Sequence, residues 1–154
     1  DIGCYCISLA RFIFGSEPQR VLGKMVYDPK FKTDRLCSGF MDFGENSSTF
    51  SCSTQLTAYQ RVIIFGTDGK IEIEIPFNTP PEQPSKILHQ QLEKINNIVF
   101  EPCNQFTIQG DLFSKAILNN TDLPTSLEDS VNNMRVLDAI VESAKINTWA
   151  KLVP

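Results

Sequence analysis

The sequence is poor in the residues that most metal sites, disulfide scaffolds and membrane spans require. Its 154 residues include one histidine, His89, and five cysteines. An odd number of cysteines without regular spacing argues against a disulfide framework, and the paired ligand spacing of a zinc site is absent. No apolar run reaches the roughly 18 residues expected of a membrane-spanning helix. We therefore expect reduced thiols in a cytoplasmic protein.

Positive charge is also scarce. Lysine and arginine total 14 against 18 acidic residues, which gives a net charge of −4 and a pI near 5.0. Without a dense basic patch, these values argue against nucleic-acid binding. The hydrophobic fraction of 42% and the charged fraction of 21% are those of a folded globular protein. The length suits a single domain, and the composition excludes intrinsic disorder.

The hydrophobic pattern predicts helices at both ends of the chain and strands between them. Helical spacing of apolar residues predicts three helices, at residues 1–15, 104–119 and 126–145. Asp1 and Ser126 are the predicted N-caps, and Gly15 is expected to end the first helix. Apolar segments between turn signals predict seven strands, at residues 19–28, 35–43, 47–57, 60–66, 70–76, 86–91 and 95–101.

Short connections between these strands favour an antiparallel meander. The pair Asp68-Gly69 predicts one of its hairpin turns. The predicted fold class is therefore α+β, with an open, mostly antiparallel β-sheet and helices packed on one face. An exposed apolar face on the other side is typical of a partner surface.

Asp1 and Tyr5 are the candidates for chemistry. Four residues apart on a helix, their side chains lie one turn apart on the same face. A tyrosine serves as general acid or base when a nearby cation lowers its pKa from about 10. An N-cap aspartate beside a packed tyrosine explains the same spacing, so the pattern alone leaves both interpretations open.

Other polar residues favour structural interpretations. His89 lies in a predicted strand without a candidate partner nearby in the sequence, and Glu72 and Glu74 share the predicted solvated face of another strand. The glycine-rich dinucleotide fingerprint, the Walker A motif, and the G-x-S-x-G and H-E-x-x-H motifs do not occur.

Four segments of the chain, in order, resemble the C-terminal domain of the Gfo/Idh/MocA oxidoreductases, in particular the dihydrodiol dehydrogenase and sugar dehydrogenase branch. They are residues 1–18, beginning Asp-Ile-Gly-Cys-Tyr, and residues 65–73, 105–113 and 124–143. The resemblance implies a two-domain enzyme whose Rossmann domain, absent from this chain, binds NAD or NADP and supplies a lysine from a Lys-Pro motif. Residues 1–154 would then be a single C-terminal substrate-binding and dimerisation domain, inactive by itself.

By this resemblance, hydride passes between nicotinamide and a hydroxyl-bearing carbon of a sugar, polyol or dihydrodiol. The family pattern Asp-x-Gly-x-(His or Tyr) falls on Asp1, Gly3 and Tyr5, with tyrosine at the last position as in the dihydrodiol branch. Tyr5 would move the hydroxyl proton, Asp1 would orient the substrate or the lysine, and Gly3 would admit the cofactor or substrate closely. The loops at residues 28–34 and 77–85 would shape the substrate pocket.

The resemblance further implies a homodimer or higher homo-oligomer formed through the open sheet face. It leaves the choice between NAD and NADP open, because that choice belongs to the missing domain. An alternative hypothesis is a stand-alone binding or assembly module that has lost the nucleotide-binding domain. The chain starts at a helix and without methionine, which leads us to expect a natural polypeptide that continues upstream and favours the enzyme.

Overall fold

The computed structural model describes residues 1–152 and divides into two compact units. Unit 1 comprises Asp1–Leu56 and the described residues from Pro124 onward, and unit 2 comprises Thr57–Leu123. In chain order the elements are α1 (Gly3–Phe14), β1 (Arg20–Tyr27), β2 (Asp34–Asp42), β3 (Ser47–Ser53), β4 (Val62–Gly66), β5 (Gly69–Ile73), β6 (Ser85–Gln91), β7 (Lys94–Phe100), α2 (Gln105–Asn119), α3 (Leu127–Ile146) and β8 (Ala150–Lys151).

Unit 1 is an antiparallel sheet of strand order β3-β2-β1-β8, on which α1 and α3 pack. Its core draws residues from both helices and from β1, β2 and β8: Ile7, Ala10, Val21, Cys37, Met41, Val136, Ala139, Ile140 and Ala150. At Gly23 an added Cβ would stand 2.5 Å from the carbonyl oxygen of Ile140. The absence of a side chain there therefore lets α3 lie directly on β1.

Unit 2 is an antiparallel sheet of strand order β4-β5-β6-β7, followed by α2. Residues directly opposite on neighbouring strands share a face. One face therefore carries a set of aliphatic side chains, which we call the apolar face of unit 2: Val62, Ile64, Ile71, Ile73, Ile87 and Ile98. Ile71 and Ile98 are 37% and 44% exposed. Within unit 2, all of whose residues are described, only Glu72 and Ala116 are buried.

The predicted α+β class is confirmed, and the helices and the seven predicted strands lie close to their expected positions. The strands divide between two antiparallel sheets. The hydroxyl of Ser126 accepts a hydrogen bond from Asp129 N at 3.0 Å, as predicted for the cap of α3. Gly15 adopts a left-handed conformation after the last residue of α1, also as predicted.

Asp1 is not the N-cap of α1, so that prediction was wrong. The N-cap is Ile2, which has helical backbone angles, and among the described residues no side chain caps this end. An isoleucine offers no acceptor for the first N–H groups. The first helical residue is therefore Gly3, and Asp1 lies outside the helix.

The hairpin between β4 and β5 forms as expected, but its turn is one residue earlier. Gly66 pairs with Gly69, so the turn residues are Thr67 and Asp68. Gly69 belongs to β5, where an added Cβ would collide with the backbone oxygen of Gln90. This glycine therefore serves close strand approach rather than turn conformation.

Strand β8 was not predicted, because two residues are too few to show an alternation of apolar and polar side chains.

No helix within residues 1–152 has both the length and the apolar character needed to cross a membrane.

Candidate functional site

The first turn of α1 carries Tyr5, whose residue surface is 53% exposed. The backbone N–H of Tyr5 donates to Ile2 O at 3.2 Å. Ile7, Ala10 and Arg11 form the buried face of α1. The helix is therefore amphipathic, and Tyr5 lies on its exposed side.

Asp1 is exposed, and its backbone carbonyl accepts a hydrogen bond from Cys4 Sγ at 2.7 Å. Because Asp1 precedes the helix, the one-turn spacing used to pair its carboxylate with Tyr5 does not apply in this conformation. The proposed roles of Asp1, Gly3 and Tyr5 stay predictions.

Gly3 lies between these two residues at the start of α1. An added Cβ would find Cys52 Sγ at 3.5 Å and the Phe50 ring at 3.8 Å, which are ordinary packing distances. Packing within the chain therefore does not require a glycine at this position. A side chain at this position would be directed at β3, whereas the Tyr5 residue is exposed.

Arg11, on the opposite side of α1, is only 6% exposed and binds two carboxylates. Its Nε and Nη2 donate to the two carboxylate oxygens of Glu17, both at 2.7 Å, and Nη2 also donates to Asp129 Oδ1 at 2.8 Å. The hydrogen bonds to Glu17 are the main cause that raises the pKa of Arg11. A buried, fully paired arginine thus ties α1 to the start of α3.

Asn133 of α3 makes a second connection to α1. Its Nδ2 donates to the backbone carbonyl of Cys4 at 3.2 Å, and its Oδ1 accepts from Arg11 Nη1 at 3.4 Å. Sequence reasoning missed this residue. Arg11 was visible as a rare charge inside an apolar helix, but nothing in the sequence indicates which residue of α3 faces it.

Three cysteines lie near one another below α1. Cys37 and Cys52 are directly opposite on β2 and β3. The Cys37 thiol donates to the Cys52 sulfur, which raises the pKa of Cys37 and lowers the pKa of Cys52 to about 7. Burial raises the pKa of Cys6 to about 11. All five cysteines are free thiols, as expected, and within residues 1–152 no group of three or more ligating side chains is placed to hold a metal ion.

Glu72 is buried, so the prediction that it lies on a solvated face was wrong. Its carboxylate binds Arg61 Nη1 and lies 3.5 Å from Lys70 Nζ. Arg61 Nη2 also lies 3.8 Å from the exposed Glu74. These cations neutralise Glu72 and allow its burial. His89 is half-buried on β6, opposite Ile71 and Asn96.

Both loops expected to shape a substrate pocket have defined structure. Asp28 Oδ1 accepts from the backbone N–H groups of Lys30 and Phe31 at 2.8 and 2.9 Å. These bonds, with one from Gln55 to Oδ2, lower the pKa of Asp28. The loop at residues 77–85 forms one wall of an open groove of about 370 Å³ within unit 2. Polar groups in the lining of this groove are Glu74, Thr79, Gln83, Ser85 and Lys86.

Known proteins are similar to this chain along nearly its whole length. Residues 1–72 match the family model described as GFO/IDH/MocA C-terminal domain. The chain is 37% identical over 155 aligned positions, which cover 97% of it, to an uncharacterized oxidoreductase, ORF334, of Rhizobium meliloti. It is 28% identical, over 99% of its length, to D-xylose 1-dehydrogenase (NADP(+)) 2 of Haloferax volcanii. The aligned regions cover 46% and 47% of those relatives, so the chain spans about half the length of the curated relatives it matches.

The fold is shared with solved structures as well. Aldose-aldose oxidoreductase from Caulobacter crescentus, solved with glycerol, superposes with a TM-score of 0.81 at 22% identity. The match covers 97% of this chain and 46% of that one. The resemblance seen in the sequence is therefore confirmed: residues 1–72 match the C-terminal domain of the Gfo/Idh/MocA family, and nearly the whole chain aligns with about half of an oxidoreductase.

Proposed function

We propose that residues 1–154 are part of an NAD(P)-dependent oxidoreductase, which transfers a hydride between nicotinamide and a hydroxyl-bearing carbon of a sugar, polyol or dihydrodiol. The observation that carries this proposal is the exposed Tyr5 in the first turn of α1. It stands at the last position of the pattern Asp1-x-Gly3-x-Tyr5. The alignment of nearly the whole chain with a D-xylose dehydrogenase of Haloferax volcanii supports a sugar as substrate.

In this proposal Tyr5 takes the proton from the substrate hydroxyl as the carbon is oxidised, and returns it in the reverse direction. A phenol with a pKa near 10 is a weak base at neutral pH. The role therefore requires a cation beside Tyr5, for which the family resemblance offers a lysine of the nucleotide-binding domain. Asp1 would orient the substrate or that lysine.

Gly3 is the residue of this chain that would meet the cofactor. A bound nicotinamide supplies the hydride acceptor. Without a side chain, Gly3 would let the nicotinamide ring approach the first turn of α1. The sequence carries no glycine-rich motif that would hold the phosphates. The choice between NAD and NADP stays open within the proposal, although the Haloferax relative is named for NADP(+).

The test is turnover by the full-length protein with D-xylose, other aldoses, polyols and dihydrodiols, each with NAD+ and with NADP+. Tyr5→Phe is expected to lower kcat by about 10²- to 10⁴-fold and to leave the cofactor Kd unchanged. Tyr27→Phe is the matched control, because Tyr27 is similarly exposed and lies on β1. Normal kcat in the Tyr5→Phe enzyme would remove Tyr5 from the mechanism, and no turnover with any substrate would favour the non-catalytic binding module.

We also propose that the protein forms a homodimer, or a higher homo-oligomer, through the apolar face of unit 2. Six aliphatic side chains share this face, and Ile71 and Ile98 on it are exposed. A four-stranded sheet of this kind needs a covering layer for stability. A second copy of the same face would supply one and would satisfy the two-fold symmetry of a dimer.

Light scattering on the full-length protein tests this assembly. Ile71→Asp should convert the oligomer to monomer, because it would bury a charge in the interface. Ile63→Asp is the matched control, since Ile63 is similarly exposed but belongs to the other face of the same sheet. A wild-type monomer at micromolar concentration, or equal disruption by both variants, would contradict the proposal.

We propose the cytoplasm as the site of action. Five free thiols fit a reducing compartment. Fractionation of the native source, followed by detection of the protein in the cytosolic and extracellular fractions, tests this point.

A further inference from the structure

We propose that Asn133 of α3 is a positioning residue for Tyr5. Its side-chain amide, oriented by Arg11, holds the carbonyl of Cys4 and thereby sets the first turn of α1. This inference rests on the proposed function of Tyr5 and adds a second residue, from the far end of the chain, to the same site.

The first observation is where the Asn133 contact falls. Asn133 Nδ2 donates to Cys4 O at 3.2 Å, and Cys4 immediately precedes Tyr5. A displacement of this peptide therefore moves the Tyr5 Cα with it. Asn133 itself is half-buried and lies in the second turn of a 20-residue helix, so it provides a rigid support.

The second observation concerns the N-terminal end of α1. Ile2 occupies the N-cap, and no side chain within the described part of the chain caps the helix. A capping side chain would otherwise hold the first turn. The neighbours of Gly3 stand at ordinary contact distances and do not clamp it. The hydrogen bond from α3 is therefore a tertiary contact that holds the turn that presents Tyr5, at an end of the helix without a side-chain cap.

The third observation is that Arg11 determines which way the Asn133 amide points. A carboxamide presents an acceptor on one side and a donor on the other. The guanidinium is a donor only, and its Nη1 lies 3.4 Å from Asn133 Oδ1. The acceptor must therefore face Arg11, which directs the donor Nδ2 at Cys4. Arg11 is in turn fixed by Glu17 and Asp129.

A double-mutant cycle in the full-length protein tests the inference, with the sugar and nicotinamide cofactor that give turnover. Asn133→Asp keeps an acceptor for Arg11 but replaces the donor to Cys4 by a carboxylate oxygen. A small misplacement of a catalytic group costs up to about 100-fold in rate. We expect kcat to fall between about 10- and 100-fold, with the cofactor Kd unchanged. In a Tyr5→Phe background the same substitution should cause no further loss.

Asn132→Asp is the matched control, because it makes the same charge change on the same helix. The Asn132 side chain accepts a hydrogen bond from Arg135 and makes none to α1 among the hydrogen bonds described. The kcat of Asn132→Asp should equal that of the wild type. Equal losses from Asn133→Asp with and without Tyr5, or no loss at all, would overturn the inference and leave the role of Tyr5 intact. Normal kcat in Tyr5→Phe would instead defeat the proposed function. If Asn133→Asp does not fold, Asn133→Ala removes the same donor without adding charge, and the same outcomes decide.

Discussion

The hydroxyl of Ser143 bridges Gly23 and the chain that leads into β8. It accepts from Gly23 N at 2.9 Å and donates to Thr148 O at 2.6 Å. Within the described residues, β8 pairs with β1 at Arg20 and Val21. Continuing that register would place Thr148 opposite Gly23. The serine hydroxyl therefore takes the place of a direct bond between the two strands and satisfies both backbone groups.

Replacement of Ser143 by alanine should destabilise unit 1. Ser143 is fully buried, so the variant leaves the Gly23 N–H and the Thr148 carbonyl without this partner. An unsatisfied buried group costs about 1–3 kcal/mol. Urea unfolding followed through Trp149, the single tryptophan of the chain, measures the loss. Ser130→Ala, at an exposed position on the same helix, should change stability by less than about 0.5 kcal/mol, and equal effects of the two variants would contradict this account.

Two glycine-to-alanine substitutions should have effects of opposite sign. At Gly23 the new methyl group would press on the backbone of Ile140, and overpacking of this kind costs about 1–3 kcal/mol. At Gly110, inside α2, nothing lies within 4 Å of the added Cβ. Alanine there should stabilise the helix by about 0.5–1 kcal/mol. The midpoints of urea unfolding, followed by circular dichroism, report both changes. A stabilising Gly23→Ala would show that β1 and α3 are less closely packed than described.

The loop at Asp28 should make stability depend on pH on the acid side. Hydrogen bonds from Phe31 N, Gln55 and Lys30 N hold the pKa of Asp28 below its ordinary value of 3.8. Because the folded-state pKa is lowered, the stabilisation is present above pH 3.8 and is lost as the pH falls through the folded-state value. Asp28→Asn should therefore be less stable than the wild type at pH 6, and the difference should shrink below pH 4. A difference that stays constant from pH 6 to pH 2.5 in urea unfolding would contradict this linkage.

The helices and the first seven strands could be predicted because each of them leaves a local pattern in the sequence, whereas the two-residue β8 does not. Ile71 and Ile73 alternate with charged residues along β5, and Ser126 stands just before an apolar helical stripe. These signals depend only on neighbours in the chain. Asp1 was misassigned because its residue type suits an N-cap, whereas the backbone placed Ile2 there.

The contacts that order the candidate site were beyond sequence reasoning. Asn133 and Cys4 are 129 positions apart, as the hydrogen bond between them shows, and no local pattern joins them. In the sequence, Glu72 has the pattern of a solvent-exposed glutamate on a strand, and its ion pair with Arg61 becomes apparent only in the structure. Such pairings are set by tertiary packing, which determines what each polar group faces.

Unit 1 is formed by two segments of the sequence, one before and one after the residues of unit 2. This order matters during synthesis on the ribosome. When Leu123 has emerged, every residue of unit 2 is available, but α3 and β8 are still to come. Until α3 has been synthesised, the apolar sides of α1 and β1 therefore lack Val136 and Ile140, with which they form the core of unit 1. A chaperone that binds exposed apolar segments would meet this protein at that stage, and a transcript truncated anywhere before α3 would yield a chain that cannot complete unit 1.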